Sequence, residues 1–427
     1  EHEIKLEDLK KIKTVHWVFE FPEVFLDRGG FDVVVGNPPW GDIFSNTEKR
    51  FLTKFYTSMY YGYNSATFFL ERIKSLIVLD GYSGMIVPKN IIRSNTYKKI
   101  RKILLDNYKL RKISAIGMGV FIGVTSEVTI LIMQRNIDIN ANKANIIKCS
   151  IVPSSAFPPR IEDNIIQGIF YTLEDNIFNI LLTQEKMNIL NYIDSISTKL
   201  GNVAFVLSGI SAGDEENLTS FTKKSKNWKP IIRGSNIKRY NLTYSGEYIL
   251  YDRKILHRAR EEDKFLAPEK LVSPHVANDL VFAYDNNKLY CMQTVNLVVP
   301  KYKKIKTKIL LIILNSFLMN FYYSLRYNIG SEFTTAISVT NLRNLPFTFL
   351  NNAYVYEKLA DYLLFLNATE ERRQKLKDTI EFFDRQIADS LVYELYFKEK
   401  FAEDGLYPEP KEYLLEEVSK HLKPINY

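Results

Sequence analysis

Asn37-Pro38-Pro39-Trp40 is the part of this sequence whose residue types and spacing can do chemistry. A short β-branched run, Phe31–Val35, leads into Gly36 and stops at the two prolines. The Asn37 side-chain oxygen and the Pro38 carbonyl can each accept an N–H hydrogen bond from one exocyclic amine. An aryl amine is a poor nucleophile because its lone pair is delocalised into the ring. Two fixed acceptors favour a pyramidal nitrogen with its lone pair aimed at a methyl donor, which is electrostatic preorganisation. Each proline fixes φ at about −65° and brings no competing N–H. Trp40 would stack on a planar base, a contact worth roughly 1–3 kcal/mol at comparable sites. Pro-Pro alone would only end a strand, and Trp40 alone would read as a core residue. The unbroken order of strand, glycine, amide, prolines and aromatic favours catalysis.

Those residues need a frame. Phe31–Val35 reads as a buried parallel strand, short and closed by a turn. Ser65 is expected to cap a helix with Phe69, Ile73, Leu76 and Ile77 on one face. Gly84–Pro88 is the next strand. A basic amphipathic helix follows, with Ile100, Ile103 and Leu104 inward and Lys98, Lys99, Arg101 and Lys102 outward. Ile113–Ile116 and Val128–Met133 complete a strand–helix alternation, which predicts an α/β doubly wound sheet. Ligands of such sheets sit at the carboxyl ends of strands, where Asn37 falls.

Pro153 to Pro159 is turn-rich and is expected to close this lobe, with a helix around Gln184–Ile193 as connector. The expected domains are 1–155, a connector over 156–200, 201–350 and a helical segment over 351–427. Residues 221–260 carry eleven Lys and Arg against two Asp and Glu, interleaved with Phe221, Trp228, Tyr240, Tyr244, Tyr248 and Tyr251. A charge run is usually a solvated face. Alternation with aromatics makes this one a surface for nucleic acid. Beyond Asn367 and Glu370, a plausible helix cap, Leu376, Ile380, Phe383, Ile387, Leu391 and Leu395 form a stripe for packing.

Net charge is +8 with pI near 9.0, which suits a polyanionic partner without identifying one. Cys149 and Cys291 stand far apart, so neither a disulfide nor a zinc site is expected and a reducing cytoplasm is. The longest apolar run, Ile309 to Met319, is too short to span a bilayer and reads as a buried helix. The chain opens without Met in a charged helical pattern and is expected to be a fragment of a longer protein.

Asn37 to Trp40 resembles motif IV of the amino-methyltransferases that modify N6 of adenine in DNA. His16-Trp17, Glu20 to Phe25 and Gly29 to Asp32 resemble the type IIG restriction–modification polypeptides and related phage-exclusion methyltransferases, and the resemblance runs along essentially the whole chain. Asn64 to Glu71 is similar to motif V, Gly84 to Pro88 to motif VI, and Val120 to Thr125 to motif VIII. On that likeness Phe121 would face a flipped-out adenine beside Trp40; unaided, it reads equally as a loop aromatic. Pro230 to Tyr240 resembles the opening of the family's target-recognition domain, with Leu314-Asn315-Ser316 and Asn344 to Phe347 as later landmarks, and Leu391 to Tyr396 its closing helix.

The resemblance implies a partial Rossmann-like methyltransferase sheet, an α+β recognition domain for double-stranded DNA and C-terminal helices, acting as a monomer. It implies S-adenosylmethionine as methyl donor. The family's Gly-rich cofactor loop precedes motif IV, and residues 1–36 hold no such loop, so most of that pocket is expected upstream, with Asn37 its contribution here. Arg233, Lys238, Arg239, Arg253, Arg258 and Arg260 are candidates for DNA contact. Two alternatives stand beside this reading. One is a protein-glutamine N-methyltransferase, which shares the Asn-Pro-Pro-aromatic motif but needs no large basic domain. The other is a DNA-specificity module without catalysis.

Overall fold

Trp17, Phe21 and Phe25 pack around Phe31, the first residue of strand β1 (Phe31–Gly36), with ring centroids 5.2–6.1 Å apart. The aromatic phrase before the strand therefore pins its start. Gly30, at φ 145°, lets the chain pass against Leu76, where a Cβ would lie 2.7 Å from the carbonyl oxygen. The computed structural model describes residues 16–59, 62–117, 127–152, 161–327, 335–350 and 352–423. It divides into two units, Glu1–Met187 and Asn188–Tyr427, the division falling inside the helix Gln184–Ser195.

The first unit is built on a six-stranded sheet in the order β1-β2-β4-β3-β5-β6, with β2 at Ile77–Pro88, β3 at Tyr108–Ile116, β4 at Val128–Arg135, β5 at Ile146–Val152 and β6 at Ile161–Ile166. Strand β1 runs parallel to β2, as expected. It is not buried: it forms the sheet edge, and Val33 and Val35 are 59% and 76% exposed. Its β-branched run reports strand propensity, not which edges are covered. Strand β4 lies inside the sheet, antiparallel to both neighbours, so the architecture is mixed α/β.

Helix α1 (Asn46–Phe55) starts at a Ser45–Glu48 capping box. Helix α2 (Ser65–Ile73) is capped by Asn64, not Ser65: the Asn64 side chain accepts from the Ala66 amide. It ends before Leu76, and the face it buries carries Ala66, Leu70 and Ile73 while Phe69 is exposed. In helix α3 (Lys98–Asn107), Ile100 and Leu104 are buried as expected, but Arg101 is fully buried too. Its guanidinium donates to the carbonyls of Ile91 and Ser94, in and just after the short helix Asn90–Arg93, and to that of Asp175, tying two segments together. Carbonyl partners from distant segments are what an inward arginine needs, and helical periodicity cannot show them.

The second unit packs two four-stranded sheets around one core. One orders Tyr290–Cys291, Trp228–Ile232, Tyr248–Leu250 and Thr219–Ser220; the other Ala283–Asp285, Lys270–Pro274, Val295–Pro300 and Ala204–Ser208. Ile231, Ile232, Ile249, Val272 and Leu297 fill the space between. The apolar run forms two helices, Thr307–Asn315 and Phe317–Tyr327, bent by 63° at Ser316, with Ile309 to Leu314 buried. No single helix among the described residues is long and apolar enough to cross a membrane.

Toward the C-terminus the stripe is broken into several helices. Thr369 caps the segment Glu370–Lys375, while buried Asn367 ends the preceding helix, Ala353–Leu366. Leu391 and Leu395 are buried, and Leu376, Ile380, Phe383 and Ile387 half-buried.

Candidate active site and nucleic-acid surface

The tetrapeptide follows directly from the carboxyl end of β1. Pro38 is buried, Trp40 half-buried, and Asn37 and Pro39 are exposed. Pro38 thus anchors the turn while its neighbours face outward. Among the described residues, neither the Asn37 side chain nor the Pro38 carbonyl has a hydrogen-bond partner. Both acceptors remain open to an incoming donor.

The turn is held from behind by the residues at the start of α2. The Ser65 hydroxyl donates to the Pro39 carbonyl at 2.5 Å, and the Ser65 amide to the Gly41 carbonyl at 2.9 Å. The Asn64 carboxamide oxygen accepts from the Gly41 amide at 3.3 Å, while its nitrogen donates to the Tyr97 hydroxyl at 3.0 Å. Asn64 therefore does double duty, as helix cap and as strut for the turn. Tyr97 was not expected at the site; its distance in sequence hides it. Further along α2, buried Glu71 accepts from the amides of Thr57 and Ser58 and from the Thr57 hydroxyl. Burial works to raise that carboxyl, and the Ser58 and Thr57 hydrogen bonds outweigh it, leaving Glu71 below its ordinary value.

Lys89 and Glu127 form a buried ion pair at 2.9 Å, just beyond the end of β2 and just before β4. Because β4 is antiparallel, both stand at the same end of the strands as Asn37. Phe121 lies outside the described residues. So do Pro153 to Pro159.

Both cysteines are buried, and burial pushes each thiol up to about 12. Neither is suited to nucleophilic work, since the thiolate is the nucleophile. Among the described residues no cluster of His, Cys, Asp and Glu could hold a metal ion.

In the second unit the six basic candidates part company. Arg233 is gripped by Glu247 through two nitrogens, at 2.8 and 2.9 Å, and by Glu215 at 2.7 Å. Arg239 holds Asp384 through two nitrogens and also donates to the Asn315 carbonyl. Arg260 donates to the Gly209 carbonyl and the Ser208 hydroxyl. Lys238 reaches Glu370 at 3.1 Å, but both side chains are more than half exposed, so the pair is easily given up. Arg253 and Arg258 are exposed without an ion pair among the described residues. Trp228, Tyr240 and Tyr251 are buried and offer no stacking face, contrary to expectation; Phe221 and Tyr244 are exposed.

The later landmarks serve the fold. Fully buried Asn315 exchanges two hydrogen bonds of 2.9 Å with the backbone of Phe282. Pro346-Phe347 pairs with Thr198-Lys199.

This architecture joins two recognisable parts. Residues 1–121 match the family described as the Eco57I restriction-modification methylase, and residues 229–347 the TaqI-like C-terminal specificity domain. RM.MjaORFECS2P of Methanocaldococcus jannaschii, assigned as a type II restriction enzyme and methyltransferase, is 25% identical over 433 residues, or 94% of this chain and 34% of that protein. The type II restriction enzyme and methyltransferase RM.Eco57I of Escherichia coli is 25% identical over 192 residues, 44% of this chain and 19% of its own length. The chain thus spans about a third of the first relative's length. Among solved structures, the type IIG restriction endonuclease BpuSI shows 14% identity and a TM-score of 0.33, covering 86% of this chain and 54% of its own. The type IIL enzyme MmeI in complex with DNA shows 10% identity and a TM-score of 0.48, covering 91% and 57%.

Proposed function

We propose that this chain is the amine-binding and target-recognition part of a site-specific DNA adenine-N6 methyltransferase of the restriction–modification type. The observation that carries the reading is the pair of open acceptors, Asn37 and Pro38, braced by Asn64 and Ser65 at the end of β1. The relatives' printed activities agree with it. Adenine inside a duplex is out of reach of such a turn, so the base must be rotated out of the stack. Asn37 and Pro38 then hold N6, and Trp40 and Phe121 hold the ring.

S-adenosylmethionine would supply the methyl group. The described residues fit the amine side of that transfer and not the donor side. Beyond Asn37 they present no glycine-rich turn leading into a helix at the strand ends. The exposed edge of β1, with Val33 and Val35 uncovered, suits further strands that would carry the donor pocket. Taken alone, the chain is expected to bind duplex DNA without methylating it.

In the intact protein, Asn37→Ala is expected to abolish methylation of duplex DNA while leaving duplex affinity within about twofold. Equal loss of both would contradict the assigned role.

A further inference from the structure

A groove of about 970 Å³ opens on the second unit, between the turn Gly234–Asn236, the segment Pro274–Ala277 and the loop Gln293-Thr294. Its backbone is stitched on every side. The Gly234 amide donates to the Thr294 hydroxyl at 3.1 Å, the His275 amide to the Thr294 carbonyl at 2.7 Å, and the Gln293 amide to the Ile210 carbonyl at 2.6 Å. Gly234 is required there, because a Cβ would stand 2.9 Å from the Thr294 carbonyl oxygen. On this frame the Gln293 and Thr294 side chains are exposed, while half-buried His275 turns its Nδ1 into the interior.

The groove's two arginines are already committed, and its lysine is the one cation there that is easily freed. Arg233 is held by Glu215 and Glu247, Arg239 by Asp384, and Lys238 leans on Glu370. What remains beside Lys238 is a surface of exposed hydrogen-bonding tips, Ser235 and Gln293, next to apolar Val276. The exposed cations Arg253 and Arg258 are not among its lining. Phosphates are bound by free cations, whereas base edges are read by fixed donors, acceptors and apolar atoms. The same unit offers the two in different places.

We infer that this groove reads base edges of the duplex, with Gln293 as a specificity-determining residue. The inference rests on the DNA-directed reading above. The Gln293 carboxamide matches the N7 acceptor and N6 donor that adenine presents in the major groove, and Val276 matches a thymine methyl. The committed arginines act as its frame, not as its phosphate contacts.

The test is modification mapping of DNA from cells expressing the intact protein as wild type, Gln293→Ala or Ser235→Ala, beside an Arg253→Ala/Arg258→Ala control. Gln293→Ala is expected to relax one position of the methylated sequence, lowering discrimination there by about five- to 150-fold. The arginine control should keep the sequence and methylate it less completely. An unchanged sequence, equally complete, in both the Gln293 and Ser235 variants would overturn the inference. If a variant methylates nothing, duplex competition decides. Retained binding to random duplex with lost preference for the wild-type site supports the groove; loss of both overturns it. A wild type that methylates no DNA would instead sink the underlying functional reading.

Discussion

At the scale of single residues, the proposed role of the turn after β1 requires that its acceptors stay fixed while an amine arrives. Ser65 supplies one of the props, through its bond to the Pro39 carbonyl. Ser65→Ala keeps the Asn64 cap and removes that bond, which should cost about 1 kcal/mol of stability. Methylation should slow several-fold with the affinity for DNA unchanged, read from kcat and KM on duplex substrate. An unaltered kcat would show that the prop is idle. Asn37, Pro38 and Trp40 are legible in the sequence as a candidate site because the chemistry proposed for them lies in four consecutive positions. Tyr97 and Glu71 could not, since their roles depend on contacts across fourteen to thirty-three residues. Asn64 and Ser65 are both good cap residues, and only the backbone decides between them.

Among elements, charge in the sequence does not report exposure in the fold. Arg101, Arg233 and Arg239 look like surface residues until their partners are seen, and those partners stand 7 to 145 residues away. Trp228, Tyr240 and Tyr251 are buried although they stand among lysines and arginines, since such interleaving does not show which face a segment buries. The two kinds of arginine can be told apart by experiment. Arg239→Ala removes the two-nitrogen grip on buried Asp384, leaving it the Tyr240 hydroxyl at 2.8 Å and Arg385 at 3.8 Å, and should destabilise the protein by about 1.5–3 kcal/mol, seen as a lowered denaturation midpoint. Arg253→Ala should leave that midpoint unchanged and reduce the slope of log affinity against log salt by about 0.9 if it meets one phosphate. The opposite pattern would reverse the assignment.

Helix α2 carries a pH dependence of its own. Glu71 is held below its ordinary value of 4.5, so its contribution is complete above that pH and is lost as pH falls toward the folded value. Glu71→Gln should therefore flatten the acid limb of the stability curve. An unchanged acid limb would place the sensitivity elsewhere.

Across the whole molecule, the positive charge is unevenly shared. Residues 201–350 hold 21 Lys and Arg against 12 Asp and Glu, an excess of 9, while the whole chain has a net charge of +8. The rest of the chain is therefore close to neutral. Such a division suits the proposed function, in which residues 201–350 would meet the polyanion and the turn after β1 a single base. Cys149 and Cys291 add a chemical prediction, because burial raises both thiols to about 12. Alkylation at pH 8 should leave the native protein unmodified and active, and label both cysteines only after denaturation. Rapid labelling with loss of activity would call for a covalent mechanism.

The most direct test of the central claim is modification-sensitive long-read sequencing of host DNA after expression of the intact gene, with Asn37→Ala as control. The account predicts N6-methyladenine at one defined sequence, absent from the control. Modification that survives Asn37→Ala, or that falls on carbon 5 of cytosine, would contradict it.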